Sequence, residues 1–134
     1  MTWRYVEMPL QSYEILFLRK AGHVQGYVVL GTHIDPDKRT GQVTDILAVD
    51  DDERSLALLL AAASDRLARL GAEVAAFGFC ENAALRAAAR RAGFLRSKPS
   101  RPAQVNHVDP ATYGRLKEDT GLLYMTRGDQ DEDY

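Results

Sequence analysis

The hydrophobic period changes once along this chain, at the acidic run Asp50-Asp51-Asp52-Glu53. Before it, branched and aromatic residues come in short runs bounded by turn residues. After it, Leu56, Leu59, Leu60, Ala63, Leu67 and Leu70 fall on one helical face. The chain must therefore build a mixed α/β structure, strands first and helices alternating with strands afterwards. Tyr13 to Arg19 reads as a strand, Lys20-Ala21-Gly22-His23 as a turn and Val24 to Ile34 as a second strand. A loop dense in turn residues covers 35–41, and Gln42 to Val49 is a third strand. These three strands predict an antiparallel meander. Ile15 and Phe17 face opposite to Leu16 and Leu18, and Tyr27 and Val29 opposite to Val28 and Leu30. Apolar residues on both sides predict a sheet covered on both faces.

The long helix is expected to begin within the acidic run. Carboxylates there complement the helix dipole, and Asp50 with Glu53 has the spacing of a capping box. Gly71 stands where a left-handed C-terminal cap belongs. Glu73 to Phe79 is the next strand. Asn82 caps a second helix with Leu85, Ala88, Ala89 and Ala92 on its inner face. Gly93 ends that helix and Phe94 is expected to open a further strand. Strand, helix, strand, helix, strand implies parallel neighbours joined by crossovers. Gln104 to Val108 and Leu122 to Thr126 are later strand candidates, a helical turn runs from Asp109-Pro110 to Lys117, and residues 128–134 form an acidic tail.

At 134 residues the chain is expected to form one domain, 1–134, burying roughly two-thirds of its unfolded surface. With 17 Lys+Arg against 19 Asp+Glu, no dedicated nucleic-acid binding is expected. The single Cys80 excludes a disulfide framework and a Cys-based zinc site, and His23, His33 and His107 share no metal-ligand spacing. No metal is expected. No apolar run approaches the roughly 20 residues of a membrane span and no signal peptide opens the chain, so the expected location is cytoplasmic.

The run Asn82-Ala83-Ala84-Leu85-Arg86-Ala87-Ala88-Ala89-Arg90-Arg91-Ala92-Gly93-Phe94 resembles the late helix of the GNAT (Gcn5-related N-acetyltransferase) superfamily, which starts at Asn and ends at Gly-Phe. Ile46-Leu47-Ala48-Val49 is similar to that family's central strand. Trp3-Arg4-Tyr5 with Pro9, and Thr126-Arg127-Gly128-Asp129-Gln130-Asp131, resemble the C-terminal part of bacterial FemAB-type, polysaccharide-linked GNAT-like proteins. The resemblance spans nearly the whole chain through short motifs. It implies a GNAT-like mixed sheet, an antiparallel meander followed by β-α-β-α-β. The usual N-terminal helices are lacking, so the chain is either a fragment of a longer protein or a form without them.

The implied activity is transfer of an acetyl or other acyl group from acetyl-CoA or another acyl-CoA to an amine. The implied site has Asp45 as base, backbone near Val49 on the pantetheine, Arg54 and Ser55 at the pyrophosphate, and Asn82 on the coenzyme. The chain departs from the family at the pyrophosphate loop. Val49-Asp50-Asp51-Asp52-Glu53-Arg54-Ser55-Leu56 holds no glycine, only Arg54 echoes the motif, and acids stand where an anion would dock. The position of the family's acid Tyr is Ala89. Two readings therefore stand: an acyl-CoA-dependent N-acyltransferase, or a non-catalytic GNAT-like module that forms a homodimer or docks a partner domain on its open sheet face. Arg86, Arg90, Arg91, Arg96, Lys98 and Arg101 form either an anion-receiving patch or a solvated face.

Overall fold

A computed structural model of the chain describes residues 12–34, 36–78 and 82–96. The expectations for the opening segment, Cys80, Lys98, Arg101, His107, the two later strands, the helical turn and the acidic tail lie outside these residues. Strands β1 (Tyr13–Lys20) and β2 (His23–Gly31) form a hairpin closed by Ala21 and Gly22, both at positive φ (49° and 82°). Two left-handed residues match the right-handed twist of the flanking strands. β2 ends at Gly31 rather than Ile34, because its ladder with β1 runs out at Tyr13↔Gly31. Strand β3 (Thr40–Ala48) pairs antiparallel with β2, and β4 (Val74–Phe77) pairs parallel with β3. The sheet order is β1-β2-β3-β4.

Helix α1 (Glu53–Arg69) crosses from β3 to β4 and lays Leu56, Leu59, Leu60, Ala63 and Leu67 on the sheet. Ala57 is also buried. Helix α2 (Ala83–Arg91) packs on α1 through Leu85, Ala88 and Ala89. Gly26 and Gly41 admit α1 closely: a Cβ on Gly41 would lie 2.7 Å from Leu67 Cδ2. Arg66 of α1 grips Glu14 of β1 through Nε at 2.9 and 3.0 Å.

Both helices end in the same way. Ala72 N–H donates to Leu67 C=O and Gly71 N–H to Ala68 C=O, with Gly71 at φ 98°. Phe94 N–H donates to Ala89 C=O and Gly93 N–H to Arg90 C=O, with Gly93 at φ 87°. These are Schellman closures, in which glycine adopts the left-handed conformation without a Cβ clash. The second closure corrects the expected strand at Phe94. Its N–H is committed to α2, residues 94–96 are irregular, and the Phe94 ring meets Phe77 edge-on at 6.3 Å.

The helix start also differs from expectation. Val49–Asp51 form a single 3₁₀ turn, with Asp50 and Asp51 at φ 56° and 49°. The capping residue is Asp52, whose Oδ2 accepts the Ser55 N–H at 2.9 Å. The cap is thus Asp52 rather than Asp50. Glu53 reaches across to Arg91 at 3.2 Å, joining the N-terminal end of α1 to the C-terminal end of α2.

Candidate functional site

The parallel ladder between β3 and β4 stops at Val43↔Phe77, whereas β3 continues to Ala48. Thr44 is the first β3 residue beyond that ladder. Leu30 pairs with Val43 and Val29 with Asp45, so Thr44 is the extra residue of a bulge. Gly41 and Val43 face α1 before the bulge, and Ile46 and Ala48 face it afterwards. The bulge thus turns Asp45 onto the face away from α1, where strict alternation would have driven a carboxylate into the core.

On that face the sheet is unevenly covered. Val29 is 0% exposed at the centre, but Phe17 is 51%, Leu47 44% and Val74 56% exposed. Phe17, Tyr27 and Leu47 form one cross-strand row. Tyr27 lies diagonal to Asp45, within reach of a long side chain. Its hydroxyl donates to Asp45 Oδ2 at 3.1 Å, and the Ile46 N–H donates to Asp45 Oδ1 at 2.8 Å.

The other site residues have separate placements. Val49 is half-exposed in the turn that follows β3, and Arg54 is exposed in the first turn of α1. Ser55 is engaged by Asp52: its hydroxyl and its N–H hold the Asp52 carboxyl below its ordinary value. Asn82 is buried, and its Oδ1 accepts the Leu85 N–H at 3.0 Å as the cap of α2. Val49, Arg54 and Ser55 therefore share the β3–α1 connection, Asp45 lies on the sheet face away from α1, and Asn82 serves a different helix start. Tyr27 is the residue that sequence reasoning missed; only the sheet register, with its bulge, shows that it shares a face with Asp45.

An anion at the N-terminus of α1 would have to displace the Asp52 carboxylate from the Ser55 N–H, with Asp50, Asp51 and Glu53 adding like charge nearby. Ala89, at the position where the sequence lacks a hydroxyl, is buried in the core. Of the basic residues, Arg91 is paired with Glu53, while Arg86 and Arg96 also have partners. Among the described residues no group of three or more His, Cys, Asp or Glu could hold a metal, and no helix is long and apolar enough to cross a membrane. The chain matches no known protein family model, no curated protein and no solved structure.

Proposed function

We propose that this chain is a GNAT-like acyltransferase domain that moves an acyl group from an acyl-CoA to an amine. The observation that supports the reading is the parallel β3–β4 ladder whose last pair is Val43↔Phe77, with a bulge in β3 that presents Asp45 two residues further on. The backbone of β3 from Thr44 to Ala48, beyond its last described pair with β4, would run alongside an extended pantetheine arm in the manner of an added strand. The capped start of α1 does not suit the pyrophosphate, so the coenzyme's anionic end contributes little to binding.

In this reading Asp45 takes a proton from the acceptor amine as the amine nitrogen bonds to the acyl carbon. The carbon–sulfur bond then breaks, the departing thiolate takes a proton from solvent, and Asp45 returns its own proton to solvent. The products are an amide and the free thiol. The test is release of free thiol from acetyl-CoA by the purified chain in the presence of simple primary amines. Turnover strongly reduced in Asp45→Asn supports the reading, and no turnover with any amine overturns it.

A second reading is favoured by the Asp52 cap and by Ala89 in the core. Here the domain has kept the architecture, lost coenzyme binding, and works by pairing with itself or with a partner domain over Phe17, Leu47 and Val74. Sedimentation separates the two: a monomer at every concentration, together with coenzyme binding, leaves only the first.

A further inference from the structure

We propose that Tyr27 is a positioning residue for Asp45, a role that rests on the acyl-transfer reading above. The two side chains come from different strands, 18 residues apart in sequence, and meet only because Thr44 is inserted between Val43 and Asp45. Asp45 Oδ2 accepts from the Tyr27 hydroxyl and Oδ1 from the Ile46 N–H. Two donors from two directions fix both the position and the rotation of the carboxylate plane. Both residues are half-buried, which strengthens the hydrogen bond between them.

The surroundings fit this assignment. Phe17 and Leu47 flank Tyr27 in the same cross-strand row, each about half exposed. An amine carried on an apolar stem would lie along this row with its nitrogen toward Asp45. The alternative, that the hydrogen bond only steadies the sheet, makes a different prediction. It would let Tyr27→Phe lower stability without touching turnover in the folded protein. Positioning requires the reverse.

The experiment is a free-thiol release assay with acetyl-CoA and n-butylamine on four full-length chains: wild type, Tyr27→Phe, Asp45→Asn and the double variant. Thermal unfolding of each identifies the folded fraction, and the isosteric Tyr27→Phe preserves the ring's contacts. The expected result is a kcat about tenfold lower for Tyr27→Phe, the scale of one hydrogen bond to a charged group. The KM for butylamine should stay within about twofold, and Tyr27→Phe should cost nothing further on Asp45→Asn. Wild-type kcat in Tyr27→Phe, or a loss that simply adds to that of Asp45→Asn, overturns the positioning role and leaves acyl transfer standing. No turnover by the wild type overturns acyl transfer and the positioning role together.

Discussion

The Asp52 carboxylate accepts the backbone N–H of Ser55 at 2.9 Å, and this contact decides what the start of α1 can hold. A free helix N-terminus attracts anions. Here the protein's own carboxylate already occupies one of the donors, with Asp50 and Asp51 held in left-handed conformations just before it.

The cap has a pH signature. The folded Asp52 carboxyl titrates below its ordinary value of 3.8 because Ser55 hydrogen-bonds its ionised form. Its contribution to stability is present above that ordinary value and is lost as pH falls through the lower, folded one. Asp52→Asn keeps the cap and removes the titration. Thermal unfolding followed downward through the carboxylate range should therefore fall less steeply for Asp52→Asn than for wild type; parallel curves would contradict this.

Removing charge from the same turn should open it to anions. Asn tolerates both the left-handed backbone of Asp51 and the cap position of Asp52, so Asp51→Asn with Asp52→Asn changes charge and little else. The affinity for free CoA should rise on the order of tenfold at low salt, less at high salt. Unchanged affinity would show that the shape of the turn, rather than its charge, excludes the pyrophosphate.

Gly26 should be intolerant of any side chain. A Cβ there would lie 2.5 Å from Leu47 O and 3.0 Å from Leu59 Cδ1. The backbone oxygen cannot move without shifting β3. Gly26→Ala should cost about 1–3 kcal/mol by urea unfolding. Gly31→Ala is the control, since its nearest neighbour would be 3.8 Å away, and it should change stability by less than about 1 kcal/mol.

Asn82 should act as a cap before anything else. Asn82→Ala leaves the Leu85 N–H without its acceptor and should cost about 1 kcal/mol, while Asn82→Ser should recover most of it. Acetyl-CoA affinity should be retained in the Ser variant. Loss of binding in a stable Ser variant would place Asn82 directly on the coenzyme.

Much of this fold is legible in the residues. Leu56, Leu59, Leu60, Ala63 and Leu67 announce α1, Gly71 and Gly93 its end and that of α2, and Asn82 the start of α2. These signals are local, and each has a physical cause within one helical turn. The bulges at Gln25 and Thr44 are not legible. Register across β2 and β3 depends on a connection of eight residues, 32–39, whose length leaves the pairing open. That is why Asp45 stands out by residue type while Tyr27, its partner, does not. The cap position was ambiguous for a different reason. Consecutive carboxylates from Asp50 to Glu53 offer equivalent ligands, and backbone dihedrals choose among them.

The proposed acyl transfer requires that the stretch of β3 beyond Val43 receive an acyl-pantetheine arm while the start of α1 does little for the pyrophosphate. Calorimetric titration of the full chain with acetyl-CoA and with S-acetylpantetheine tests it most directly. The account predicts that both bind, with dissociation constants within about tenfold of each other, a difference near 1.4 kcal/mol. No heat from either ligand at millimolar concentration would contradict it and leave association as the function of the domain.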